Sequence, residues 1–191
     1  KRTLFEKFTA ETGIQVNVIK ASADQLIERI ETEGADSPAD VLITVDAGRL
    51  HRAKTKGLLQ PIESASLQAN VPTHLRDPDN QWFGVTVRAR VIAYSKDRVN
   101  PEDLSTYEDL AEEKWRGKVV IRSSGSIYNQ SLLASLIAAN GKDAASSWAE
   151  GMVQNMVREP KGGDRDQVKA IAAGQGDVSI VNTYYVGRLL D

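Results

Sequence analysis

The sequence predicts an α/β fold, and three observations lead to that prediction. Helical and strand-like patterns alternate along the 191 residues, the connections between them are short, and one strand-like segment is unusually long. Alternating helices and strands with short loops are typical of a mostly parallel sheet covered by helices. We therefore expect helices packed on a largely parallel sheet.

The chain begins within a helical pattern. Leu4, Phe5 and Phe8 lie at helical spacing, and Gly13 is placed to end that helix. Residues 14–19 then alternate apolar and polar side chains, which predicts a strand. Because no signal peptide precedes the first helix, we expect the chain to be a mature or trimmed segment of something longer.

The next stretch contains two predicted helices with a strand between them: Ala23–Glu33, Asp40–Val45 and Ala47–Lys56. The strand is a continuous apolar run, which is typical of burial on both faces. Asp46 directly precedes the second helix and can cap it, and Gly57 is placed to end it.

A long strand follows the loop-rich residues 60–80. The period-two pattern runs over Trp82–Lys96, with Val91 and Ala93 on one face and the even-numbered positions on the other. It exceeds the usual strand length of about five to six residues, so it can connect two lobes. We place the hinge within residues 82–96.

The second half repeats the alternation of helices and strands. The predicted segments are Tyr107–Ala111 (helix), Lys118–Ile121 (strand), Tyr128–Ala139 (helix), Ala144–Val157 (helix), Asp166–Ala173 (helix), Asp177–Val181 (strand) and a last helix after Asn182, which can cap it.

Composition excludes several classes of protein. Without cysteine there is no disulfide, thiolate metal site, iron–sulfur cluster or Cys nucleophile. The 24 Lys and Arg against 26 Asp and Glu leave a net charge of −2, which gives no support for nucleic-acid binding. No apolar run approaches the roughly 20 residues that span a bilayer.

Catalytic motifs are absent, and we expect no enzyme activity. No nucleophile elbow, phosphate loop or paired-histidine zinc motif is present, and His51 and His74 are expected to be solvated. The serines of residues 123–126 are expected to cap a helix rather than to hold an anion. Asp46 is sufficiently explained as a cap, and a contact with a ligand in the cleft is the alternative.

The tyrosines are the most distinctive feature. Of five in the chain, Tyr184 and Tyr185 are adjacent, and Tyr128 opens another predicted helix just after a strand. Both positions are strand-to-helix junctions, where open α/β sheets bind ligands. Arg188 lies four residues after Tyr184 and can share its helix face.

Phenols near guanidinium groups are compatible with an aromatic cage, a phosphate or sugar pocket, or a site for a hard metal ion. With no Cys and no paired His, such a site offers only oxygen donors, and a hard cation such as Fe³⁺ suits ionised phenols. Simple packing of all three tyrosines remains the alternative.

The chain resembles the periplasmic ferric-iron-binding proteins of ABC transporters, of the FbpA/FutA/IdiA type. The resemblance is carried by FTAETGIQV, PADVLITVDAGRL, WFGVTVRARVIAYSKD, EDLAEEKWRGKVVIRSSGSIYNQSLLASLI and GGDRDQVKAIAAGQGDVSIVNTYYVGRL. It implies a periplasmic-binding-protein-like fold of type II, with two α/β lobes joined by crossover strands. We assign residues 1–87 to the first lobe and 88–191 to the second.

The resemblance also implies a site. Tyr128, Tyr184 and Tyr185 correspond to iron ligands, Arg88 to an arginine near the iron or its synergistic anion, such as carbonate, and Arg188 to an outer arginine. A further tyrosine of the family would fall before Lys1, and relatives continue beyond the tyrosine-pair helix. We therefore expect a segment that is truncated at both ends.

The function implied is capture of ferric iron by a monomeric periplasmic subunit that delivers it to a membrane permease. The alternative is the same fold binding a small organic or phosphorylated solute, such as a polyamine, thiamine or a sugar phosphate. An enzyme or a ligand-sensing module on the same scaffold is a third hypothesis.

Overall fold

The structure is a computed structural model that describes the backbone of residues 2–190 and the side chains of residues 3–187. The chain divides into two compact units, Lys1–Ser64 with Asp77–Trp82, and Ala65–Arg76 with Phe83–Asp191. The lobe boundary at residues 87 and 88, and the hinge within 82–96, stay predictions. No helix among the described residues is long and apolar enough to cross a bilayer.

The first unit contains three helices, α1 (Arg2–Thr12), α2 (Ala23–Glu33) and α3 (Ala47–Thr55). All three were predicted, and the glycines that follow α1 and α2 have positive φ angles of 73° and 57°. α2 begins with a capping box, in which the Ser22 hydroxyl accepts from the Gln25 amide and the Gln25 side chain accepts from the Ser22 amide. Local chemistry therefore sets these helix ends.

Asp46 caps α3 as predicted. Its carboxylate accepts from the Gly48 amide at 3.0 Å. Its φ of 80° and ψ of 129° lie in a region that favours glycine over residues with a Cβ. The cap is thus made at the cost of an unfavourable backbone conformation.

Replacing Asp46 should separate these two effects. Asp46→Ala loses the cap and keeps the Cβ, and we expect it to cost about 1 kcal/mol of unfolding free energy. Asp46→Gly loses the same cap but suits the backbone, so the expected cost is only about 0.3 kcal/mol. Urea unfolding of the complete protein measures both, and equal losses in the two variants would contradict this account.

Both strands predicted in the first unit are wrong. Residues 14–19 and 40–45 form no ladder, and Val41 and Ile43 are each 74% exposed. A period-two or apolar pattern identifies side chains that can be buried, but a strand also needs a neighbouring chain to accept its hydrogen bonds. In the described part of the chain, neither segment has one.

The second unit contains α4 (Ala65–Asn70), β1 (Arg90–Tyr94), α5 (Ile127–Asn140), α6 (Lys142–Asn155), α7 (Asp164–Ala172), β2 (Val178–Asn182) and α8 (Thr183–Leu190). Short 3₁₀ turns lie between them, one at Glu108–Ala111, where a helix was predicted. α5, α6 and α7 agree with prediction to within about two residues, the usual uncertainty of helix ends, whereas α4 lies in residues 60–80, where only loops were expected.

The sheet of the second unit differs from prediction. β1 and β2 pair antiparallel, with Arg90 opposite Asn182 and Tyr94 opposite Val178. The predicted strand Trp82–Lys96 is reduced to β1, and the predicted strand Lys118–Ile121 forms only isolated parallel bridges through Val119. The mostly parallel sheet is therefore wrong for the regular strands.

The alternation of faces within β1 is nevertheless confirmed. Ile92 and Tyr94 pack against the main core cluster, whereas Ala93 packs against a second cluster on the opposite face. The main cluster gathers the fully buried Leu110 and Ile180 with aromatic and aliphatic side chains from α5 and α6. The sheet is thus covered on both faces, which holds its ends in place.

Candidate metal centre

The candidate site lies where the strands of the second unit's sheet end. Val119 forms parallel bridges with Val178 and Met156, so the segments that follow these residues leave the sheet at the same end. β2 ends there at Asn182, and β1 begins there because Arg90 pairs with Asn182. This is the carboxyl end of β2 and of the segment through Val119, and open α/β sheets bind ligands at the carboxyl ends of their parallel strands.

Two helix starts bring the tyrosines to this end of the sheet. Ser126 caps α5 by accepting from the Tyr128 amide at 3.3 Å, which places Tyr128 in the first turn. α8 begins directly after β2, so Tyr184 and Tyr185 also lie in a first turn. Helix N-termini favour negative charge, so the two helix starts each make one contribution in favour of ionised phenols.

The three predicted tyrosines form one cluster. The Tyr128 and Tyr184 hydroxyl oxygens are 3.3 Å apart, although the residues are 56 positions apart in sequence. The rings of Tyr184 and Tyr185 lie 4.3 Å apart between centroids. The Asn182 amide donates to the Tyr184 hydroxyl at 3.4 Å.

Arginines surround this tyrosine cluster. The guanidinium carbons of Arg88, Arg122 and Arg90 lie 4.6, 5.1 and 5.9 Å from the centroid of the Tyr128 ring. Arg165 lies 5.9 Å from the Tyr185 ring. This positive charge favours anionic groups at the cluster, whether phenolates or a bound anion.

The hydroxyls differ in their readiness to ionise. Burial raises the pKa of Tyr128 to about 12, and its hydrogen bond with Tyr184 adds to the shift. Burial also disfavours ionisation of Tyr184, but hydrogen bonds with Tyr128, Tyr185 and Asn182, and the charge of Arg88, outweigh it and lower its pKa. The hydrogen bond with Tyr184, followed by burial, raises the pKa of Tyr185. Tyr184 is therefore the phenol at which negative charge is best stabilised.

A buried network of hydrogen bonds joins residues that neighbour the tyrosines. The Asp164 carboxylate accepts from Arg90 at 3.1 Å and from Arg122 at 3.0 Å. Arg90 also donates to the Asn129 side chain at 2.9 Å and to the Asn182 side chain at 3.3 Å. Burial lowers the pKa of Arg90, against the opposing effect of Asp164, and the guanidinium remains charged.

The other predicted site residues fall elsewhere or outside the described part. Asp46 belongs to the first unit as the α3 cap, and its contact with a ligand stays a prediction. Arg188 lies in α8, but its side chain is outside the described residues. His51 and His74 are exposed as expected. No group of three His, Asp or Glu gathers in the part of the chain that the structure describes.

Sequence reasoning missed five residues of the site. Arg90 was placed on the same strand face as Arg88 but not in the site, and Arg122, Asn129, Asp164 and Arg165 were not considered. Arg122 directly follows a predicted strand and Asn129 follows Tyr128, so their positions carried a signal. The position of Asp164 carried a weaker signal, because the predicted helix began two residues later, at Asp166.

Comparison with known proteins identifies the class as solute-binding. Residues 36–189 match the family of bacterial extracellular solute-binding proteins, and the chain belongs to that family. It has the α/β fold of the type II periplasmic binding proteins.

Individual relatives bear names that refer to iron. Iron uptake protein A1 of Synechocystis is 57% identical over 98% of this chain and 52% of its own length. The Trichodesmium IdiA (FutA) structure in complex with iron and citrate is 56% identical with a TM-score of 0.94, over 98% of this chain and 60% of that one. Apo FutA2 of Synechocystis is 53% identical with a TM-score of 0.92, over 98% of this chain and 58% of that one. The chain spans about half the length of the curated relatives it matches.

Proposed function

We propose that this chain is part of the substrate-binding subunit of an ABC importer that captures ferric iron. Tyr128, Tyr184 and Tyr185 would bind the ion as phenolates, and the protein would deliver it to a membrane permease from the periplasm. The observation that carries the proposal is that these tyrosines gather where the strands end, with the hydroxyl oxygens of Tyr128 and Tyr184 3.3 Å apart.

The donor set matches the chemistry of the ion. Phenolate oxygens are hard, anionic donors, and three of them would balance the charge of Fe³⁺. A bound cation of high charge favours deprotonation of its ligands, so it can ionise phenols whose pKa is high in its absence. Arg88, 4.6 Å from the Tyr128 ring, is suited to hold a small anion such as carbonate beside the metal.

The similarity to iron-uptake proteins supports the same cargo. The Trichodesmium structure, 56% identical, was solved with iron and citrate. Further oxygen donors, from the protein or from a bound anion, would complete the coordination shell.

Titration of the complete protein with chelated ferric iron tests the proposal. We expect a visible charge-transfer band that grows to saturation near one iron per chain, because tyrosinate-to-iron transitions absorb visible light. A folded protein that binds ferric iron without a band, or binds none, would contradict the proposal. A small organic or phosphorylated anion would then be the leading ligand class.

A further inference from the structure

We propose that Asp164 is a positioning residue of the tyrosine cluster. Its carboxylate connects the segment that carries Tyr128 with the segment that carries Tyr184, and it balances the charge of the arginines between them. This inference rests on the proposed function, because the property that Asp164 would control is metal binding by these tyrosines.

The Asp164 carboxylate is fully buried and receives three hydrogen bonds. Its Oδ2 accepts from Arg90 Nη1 at 3.1 Å and from the Asn182 backbone amide at 2.8 Å, and its Oδ1 accepts from Arg122 Nη1 at 3.0 Å. The side-chain exposures are 0% for Asp164, 9% for Arg90 and 21% for Arg122. Charge-assisted bonds away from water hold their geometry firmly.

One side of this network leads to Tyr128. Arg90 donates to the Asn129 side-chain oxygen at 2.9 Å, and the Asn129 amide donates to the Arg122 carbonyl at 2.9 Å. Asn129 is the residue after Tyr128 in the first turn of α5. Asp164 thereby holds the Arg90 guanidinium that contacts the start of this helix. It also holds the side chain of Arg122, whose backbone carbonyl accepts from Asn129.

The other side leads to Tyr184 and Tyr185. Asp164 binds the backbone amide of Asn182, the last residue of β2, and α8 begins at the next residue. The Asn182 side-chain amide reaches the Tyr184 hydroxyl at 3.4 Å. The start of α8 is therefore tied to the same carboxylate as the start of α5.

Asp164 also sets the charge around the cluster. The described ion pairs of Arg90 and Arg122 both end on this one carboxylate. Without it, two guanidinium charges within 6 Å of the Tyr128 ring would lack this counter-charge. These charges would repel a trivalent cation, and they would also lower the energy of the phenolate electrons.

Asp164→Asn in the complete protein tests the inference. The substitution keeps the shape of the side chain and removes its charge, and we expect ferric affinity to fall by about 10- to 100-fold, as for other outer partners of metal ligands. The charge-transfer band should shift to shorter wavelength, because unbalanced arginines lower the energy of the phenolate electrons. A merely structural role would not move the band.

Asp166→Asn is the matched control. Asp166 lies in the same turn of α7, is exposed, and accepts from the Gly163 amide at 2.7 Å, so its loss removes an equal charge from the same helix end. We expect its ferric affinity within about twofold of the wild type and its band unmoved.

If Asp164→Asn does not fold, the double variant Arg122→Gln with Asp164→Asn is measured in its place. It removes one charge of each sign, which proteins tolerate better than an unpaired buried charge. We expect an affinity between those of the wild type and Asp164→Asn, with the band close to the wild-type position.

Each outcome decides the inference. Wild-type affinity and band in a folded Asp164→Asn would overturn it while the ferric proposal stands. If only the double variant folds, a wild-type affinity in that variant would overturn it in the same way. If the double variant also fails to fold, Asp164 serves the fold rather than the cluster, and the inference is overturned. Absence of a band in the wild type would overturn both proposals.

Discussion

Removing the hydroxyl of Tyr184 or of Tyr185 by substitution with Phe is expected to weaken ferric binding by more than about 100-fold, beyond the usual cost of losing an outer partner of a metal ligand. Each variant loses one anionic oxygen that would contact the metal directly. Tyr184→Phe should have the larger effect, because Tyr184 is hydrogen-bonded to Tyr128 and Asn182 and has a lowered pKa.

The fold should survive both substitutions. The rings of Tyr184 and Tyr185 stay in contact, and a lost partly buried hydrogen bond costs only about 1 kcal/mol. Ferric affinity by competition with a chelator, together with circular dichroism, provides the measurement.

Tyr94→Phe is the matched control for these substitutions. Tyr94 also carries a phenol in the second unit, but it lies at the far end of β1 from Arg90, about 13 Å away at about 3.3 Å per residue. Its ferric affinity should equal that of the wild type. Unchanged affinity in both Tyr184→Phe and Tyr185→Phe would remove the tyrosine pair from the site.

Gly151→Val is expected to cause the largest loss of stability, about 3 kcal/mol, at the upper end of the range for overpacking. A Cβ at this position would lie 2.7 Å from both the Cβ and the carbonyl oxygen of Ala111. α6 packs closely here against the 3₁₀ turn at Glu108–Ala111, and backbone atoms cannot yield as a flexible side chain can. The clash outweighs the gain of less than about 1 kcal/mol from replacing glycine in a helix.

Ser147→Val on the same helix provides the comparison. Ser147 is exposed, so valine there meets no packed neighbour and should change the unfolding free energy by less than about 0.5 kcal/mol. Chemical denaturation of the complete protein measures both variants. Similar stability of the two would show that the contact between α6 and Ala111 is not tightly packed.

Helices were predictable because their signals are local. The cap at Ser22, the cap at Asp46 and the terminal glycines act within a few residues of the positions they specify. The tyrosine cluster was also predictable, because both of its parts follow a predicted strand and the parallel strands of one sheet end together.

Strands were less predictable because pairing is not local. Residues 40–45 have the apolar pattern of a buried strand, yet Val41 and Ile43 are exposed and no neighbour pairs with them in the described chain. In β1 the pattern correctly identified the two faces, but which positions form the ladder depends on β2, almost 90 residues later along the chain. Periodicity contains no information about that partner.

Asp164 illustrates the same limit in the site. An aspartate at a helix start is sufficiently explained by the helix itself, so nothing local distinguishes it from Asp166. Only the fold reveals that one carboxylate is buried under two arginines while the other is exposed.

All three tyrosines of the cluster lie in the second unit. Their mutual spacing is therefore an internal property of one body, and a rearrangement of the two units leaves it unchanged. On the proposal of ferric capture, selection of the ion by the geometry of its oxygen donors would be a property of the second unit by itself.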